Sequence, residues 1–305
     1  MPEPRRFARF ALFLGLCALA LGSAQSAFAA ESCIYDPATK AVTASIDAGS
    51  AATLQLVGGQ IWFGFSPAAC GDATSTNTDS IAIAGASGTS ERLVIDQRNG
   101  TIAPGATSEF NIPEIEITTT LGDATDHVVL YATNGDDAVA AGQFGVALNS
   151  DGDVDITFTP TAFELEVYGL SGNDHINARG QGGAGLHFLG PVILDGAEGN
   201  DILYGSTEPD ELFGGPGDDT INAQASDDLV EGNDGNDRLS GAEGADTMIG
   251  GAGSDEFYGG YGADTILQWP RLLWYEIYCN RNTNAGRLQP MGRTSEKIAE
   301  HPEYN

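Results

Sequence analysis

From Gly169 to Leu267 the chain keeps a period of nine without slipping phase. Nonads begin at Gly169, Ala178, His187, Gly196, Gly205, Gly214, Ala223, Gly232, Gly241, Gly250 and Gly259. The eighth position reads Ile176, Gly185, Leu194, Leu203, Leu212, Ile221, Val230, Leu239, Met248, Phe257 and Ile266. Ten of these eleven are large and apolar, so each nonad has one side chain to bury. The sixth position reads Asp174, Gly183, Val192, Asp201, Asp210, Asp219, Asp228, Asp237, Asp246, Asp255 and Asp264. Nine are aspartate, which predicts one carboxylate per nonad kept outside. Glycine reaches φ > 0 without a Cβ clash, so the Gly-rich first four positions predict a tight turn. The three residues after the aspartate predict a short strand with the eighth position facing inward.

Upstream the pattern loosens but stays β-like. Candidate strands are Thr53–Val57, Ile61–Phe65, Ser80–Ala84, Arg92–Asp96, Glu114–Thr118, His127–Tyr131, Asp155–Phe158 and Phe163–Val167. Several alternate apolar and polar residues, the signature of a half-buried strand. No amphipathic helix is predicted. Asn134-Gly135-Asp136-Asp137-Ala138-Val139 looks like a nonad turn but sits out of phase with the array. Residues 30–160 read as an irregular β-solenoid or small β-domain, with a sandwich as the competing reading. This half would cap the open end of the stack.

The cleanest nonad, Gly214-Gly215-Pro216-Gly217-Asp218-Asp219-Thr220-Ile221-Asn222, fits G-G-x-G-x-D-x-U-x. In this the tract at 161–267 resembles the RTX, or haemolysin-type, calcium-binding repeat family. The resemblance implies an all-β fold, a right-handed parallel β-roll or β-solenoid, preceded here by a less regular β-rich half. It also implies two nonads per coil, with calcium held by turn carbonyls and aspartates between turns eighteen residues apart. One column of turns then ends at Asp201, Asp219, Asp237 and Asp255, all with Gly at positions one and four. The other ends at Asp210, Asp228, Asp246 and Asp264, and its first two turns lack the fourth-position Gly. The expected ligands are Asp201, Asp219, Asp237, Asp255, Asp246 and Asp264, with Asp174, Asp210 and Asp228 secondary. Stacked carboxylates roughly 4.8 Å apart repel by ~3.5 kcal/mol at an effective dielectric near 20. Folding of the roll is therefore expected to depend on the cation.

The remaining features set the context. Of 305 residues, the net charge is −30, and only Lys40, Arg92, Arg98, Arg179 and Arg238 are basic between Glu31 and Leu267. No basic stripe exists to meet nucleic acid or an anionic membrane. Residues 1–29 read as a secretory signal peptide: Arg5, Arg6 and Arg9, an apolar run from Phe10 to Leu21, and cleavage after Ala29 in Ala27-Phe28-Ala29. No membrane span is expected once it is removed. In an exported protein Cys33 and Cys70 are expected to bridge, leaving Cys279 over. Residues 268–305 abandon the repeat and form a bulky, more basic tail, read as a terminal cap, an export signal or an unselected sequence.

No H-E-x-x-H, G-x-S-x-G, P-loop or dinucleotide fingerprint occurs. His175 and His187 read as exposed loop or strand residues. The expectation is a secreted, non-enzymatic calcium-binding β-roll protein whose partners are calcium ions. Two alternatives stay open. One is a polysaccharide-active β-helix enzyme using Asp126-His127 and Tyr131; the other is a surface adhesion or matrix protein.

Overall fold

The computed structural model describes residues 32–102, 108–109, 112–113, 115–122, 125–148, 154–159, 163–180, 184–268, 276–279 and 287–290. The expected signal peptide, its cleavage point and most of the tail lie outside them. Among the described residues every regular element is a β-strand, and no helix is long and apolar enough to cross a membrane.

Two long sheets face each other, and from Ile156 on successive strands alternate between them. Ile202–Tyr204, Thr220–Asn222, Arg238–Glu243 and Glu256–Tyr261 run parallel in one sheet. Glu211–Pro216, Leu229–Asp234, Thr247–Ala252 and Thr265–Gln268 run parallel in the other. The chain is thus a parallel β-roll with one strand of each sheet per coil. The nonad explains this. Three or four residues suffice for a strand, the glycine turn reverses the chain, and two such units close a coil.

The same two sheets continue upstream. Arg92–Asp96, His127–Tyr131 and Glu164–Tyr168 stack in parallel and lead into Val192–Asp195. The coil length changes, and Gly145–Ala147 is inserted antiparallel between Ala138–Gly142 and Ile156–Thr159. Equivalent residues lie 35 apart from Glu91 to Asp126, 37 from Asp137 to Asp174, 27 from Asp174 to Asp201, and 18 thereafter. The long coils bury two apolar residues per strand, such as Leu93 with Ile95 and Leu165 with Val167, whereas the short coils bury one, such as Leu212 or Val230. Where the coil narrows, Phe158, Phe163 and Phe188 pack edge to face, with centroids 4.8 and 5.3 Å apart. They fill the space that the shorter coil no longer spans.

The upstream end is closed by antiparallel strands. Ser32–Asp36 folds back on Ala41–Ser45, and Gln60–Gly64 lies between Ala51–Val57 and Ala68–Thr74. Ser32–Asp36 is the edge of one sheet and Ala68–Thr74 the edge of the other. Cys33 and Cys70 form a disulfide between them, Cα to Cα 5.1 Å. The expected bridge therefore joins the two sheets. In the chain-entropy model a loop of this length contributes ~4 kcal/mol. Cys33→Ser with Cys70→Ser is expected to lose about that much in denaturant melts. A loss below ~1 kcal/mol would show that the cap does not need the bond.

Downstream, Glu276–Cys279 pairs with Glu256–Tyr261, and Arg287–Pro290 pairs with Thr265–Gln268. Two short tail segments thus extend the sheets beyond the last nonad.

Candidate metal centre

The sixth-position aspartates are not outside. Asp174, Asp201, Asp210, Asp219, Asp228, Asp237, Asp246, Asp255 and Asp264 are each at most 4% exposed. The outward expectation fails because strand alternation starts at the aspartate. Positions six and eight and the first of the next nonad point to one face. Asp210, Leu212 and Gly214 are accordingly all buried. The first-position glycine then has a reason beyond its dihedral angles. A Cβ on Gly196, Gly214, Gly232, Gly241 or Gly259 would overlap the carboxylate of its own nonad.

Each carboxylate is held from one side. The amide of Asp201 donates to Asp219 Oδ1 at 2.8 Å, Asp219 to Asp237 at 2.9 Å, and Asp237 to Asp255 at 3.1 Å. In the other column Asp210 donates to Asp228 at 2.8 Å, Asp228 to Asp246 at 3.0 Å, and Asp246 to Asp264 at 3.2 Å. The second oxygen is different. Oδ2 of Asp174, Asp201, Asp219 and Asp237, and of Asp228, Asp246 and Asp264, is buried without a hydrogen-bond partner. A buried unpaired carboxylate oxygen is costly.

Burial pushes these acids up. Asp174 and Asp246 reach about 6, Asp219 and Asp237 about 7, and Asp228 about 8, with neighbouring carboxylates adding to the shift. Asp201 and Asp264 are raised for the same first reason.

A second ladder was not foreseen. At position five, Asn200 Oδ1 accepts the amide of Asp218 at 2.7 Å, Asp218 that of Asn236 at 2.8 Å, and Asn236 that of Ser254 at 3.1 Å. These side chains reach toward the following coil, whereas the sixth-position carboxylates reach toward the preceding one. The turn at Asn134–Asp137, read as out of phase, stacks in register with both ladders. The amide of Asp137 donates to Asp174 Oδ1 and that of Asn173 to Asp136 Oδ1, each at 2.8 Å. The device even precedes the nonads. Gly49 donates to Glu91 Oε1, and Glu91 to Asp126 Oδ1, each at 2.8 Å.

Coil stacking also fixes positions two and four. A Cβ on Gly199, Gly217, Gly235 or Gly253 would overlap the fourth-position carbonyl of the preceding coil. Position two is left-handed even without glycine, as at Leu170 (φ 80), Gln224 (φ 82) and Asn233 (φ 75).

The other candidates fall elsewhere. Asp126 is buried in the turn ladder, while His127 and Tyr131 are partly exposed on the sheet face, so the structure does not bring these three into one groove. His127 Nδ1 lies 3.2 Å from Glu164 Oε1, and Glu166 takes both terminal nitrogens of Arg92 at 3.0 Å. His127, Glu164 and Glu166 offer ligand atoms within 4.8 Å of one another, but Arg92 already neutralises Glu166. His175 packs against Tyr204 and is half-buried, not exposed. His187 is half-buried too. Arg98, Arg179 and Arg238 each lie over a tyrosine ring, at 4.5, 3.4 and 4.5 Å.

The residues present fit a hard divalent cation. Seven buried anionic oxygens lack partners, the glycines leave room beside them, and backbone carbonyls of the preceding coil lie against the turn. Asp174, Asp201, Asp219 and Asp237 would hold the ions of one column, and Asp228, Asp246 and Asp264 those of the other. Asp255 completes the first ladder, and Asp210 is bound differently, as set out below. Residues 195–230 and 231–266 each match the model for the RTX calcium-binding nonapeptide repeat (4 copies). No curated protein and no solved structure matches the chain. The regular part of both ladders, from Asp201 to Asp264, thus lies within a stretch similar to the RTX calcium-binding nonapeptide repeat.

Proposed function

We propose that this chain is a secreted, non-catalytic protein whose nonads bind calcium between stacked coils, the ion serving as part of the fold. The observation that carries this is the set of unpartnered Oδ2 atoms. A cation satisfies them, removes the repulsion between stacked carboxylates and offsets the thin core of one apolar residue per strand. Binding and folding are then one equilibrium. Asp201, Asp219, Asp237 and Asp255 define three inter-coil positions with Gly at positions one and four of every turn. Asp246 and Asp264 define a fourth. Secretion rests on the signal-peptide pattern of residues 1–29, and millimolar calcium outside the cell suits extracellular modules.

The test is a calcium titration of the full-length chain by far-UV circular dichroism, with magnesium as control. A cooperative gain of β signal with calcium alone is expected between ~0.1 and ~1 mM. Asp219→Ala and Asp237→Ala are expected to raise the midpoint at least ~10-fold. Asp228→Ala, in a turn with no glycine, should raise it less. Full β signal in chelator at neutral pH, with no response to calcium, would overturn the reading.

A further inference from the structure

At two sixth-position carboxylates the turn itself engages the second oxygen, and in the same way at both. At Asp210, Oδ2 accepts the amide of Ser206 at 2.6 Å, while the Ser206 hydroxyl lies 3.0 Å from Oδ1. That hydroxyl also lies 3.1 Å from the Gly190 carbonyl and accepts the amide of Glu208 at 3.1 Å. At Asp137, Oδ2 accepts the amide of Thr133 at 3.0 Å, and the Thr133 hydroxyl lies 3.1 and 2.9 Å from the two oxygens. The amide of Gly135 donates to that hydroxyl at 3.2 Å.

Counted back from their aspartates, Ser206 and Thr133 both occupy position two. Neither is left-handed, whereas Leu170, Ala197, Gly215, Gln224, Asn233, Ala242, Gly251 and Gly260 at that position all are. So one hydroxyl and two amides do together at both turns what no protein group does at Asp219 or Asp237. Ser206 is fully buried, and it links a carbonyl of the preceding coil to the carboxylate of its own. Those are the two kinds of oxygen a cation would bridge.

We propose that Ser206 and Thr133 replace calcium in their turns. A hydroxyl at position two closes the turn on its own carboxylate, so the turns ending at Asp210 and Asp137 take no ion. Asp228, whose turn also lacks the fourth-position glycine, differs. Its second oxygen is unpartnered and Gln224 is left-handed, so it belongs with the open turns. The proposal rests on the calcium reading and deepens it by dividing the array into locked and ion-dependent turns.

The test counts ions and follows amides. Native mass spectrometry of the full-length chain in saturating calcium gives the number bound, and Ser206→Gly is expected to bind one more ion than wild type. An equal count in a calcium-loaded, folded variant overturns the lock while leaving the calcium reading standing. A wild type that binds no calcium overturns both. Should Ser206→Gly fail to fold, hydrogen exchange of the wild type in chelator decides. The amides of Val192 and Ser206, both bonded to Asp210, should stay protected while those of Asp219 and Asp237 exchange. Equal exchange at all four overturns the lock.

Discussion

In the absence of calcium, acid is expected to fold the roll. Between pH 8.5 and pH 5 in chelator, the chain should gain β signal, with a midpoint between about 6 and 8. The sign follows from the direction of the shifts. Asp174, Asp246, Asp219, Asp237 and Asp228 have folded-state values raised to about 6, 6, 7, 7 and 8, mainly by burial. A group raised on folding stabilises the fold fully below its unfolded value near 4, and that contribution vanishes as pH climbs through the folded value. A protonated carboxyl carries no charge to desolvate and does not repel its neighbours above and below. Calcium reverses the dependence, because it binds the ionised form and protons compete with it. With calcium present its midpoint concentration should therefore fall as pH rises. Circular dichroism across a pH series with and without chelator checks both limbs. Loss of β signal on mild acidification in chelator would sink the argument.

Gly217→Ala is expected to cost at least about 3 kcal/mol even in saturating calcium. The added Cβ would overlap the Gly199 carbonyl, which is backbone and cannot rotate away, and Gly217 has φ 151. The coils must separate locally, which also parts the hydrogen bonds from the Asp218 amide to Asn200 and from the Asp201 amide to Asp219. Gly88→Ala is the control. Its φ of +83 is equally unsuited to alanine, but nothing lies within 4 Å of the new atom. It should cost only the left-handed strain of about 1–2 kcal/mol. Denaturant midpoints for the two variants separate stacking from dihedral strain, and equal shifts would show that stacking adds nothing.

Much of this was legible because the nonads repeat two constraints at a fixed interval. Ser80–Ala84, Arg92–Asp96 and His127–Tyr131 appear where their alternation places them. Ser32–Asp36 and Ala138–Gly142 do not announce themselves. The first is a largely exposed edge, and the second is too rich in small residues to show contrast. The carboxylate's inward direction follows from alternation, because position six is two residues from position eight and shares its face, and charge alone points the other way. The fifth-position ladder shows only when alternate nonads are compared: Asn200, Asp218, Asn236 and Ser254 fall in one column, and Pro191 and Pro209 in the other. The turn at Asp137 escaped because the coil that follows is 37 residues long, one more than a multiple of nine.

The disulfide at the upstream edge gives the stack a polarity like that of a growing crystal. One face, sealed by Cys33–Cys70 and backed by coils with two apolar residues per strand, is a seed. The other face is where new layers add. In a one-dimensional array the first layer is the hard one and each later layer has a template. Calcium arriving at the nonads then has an ordered object to lengthen instead of one to nucleate.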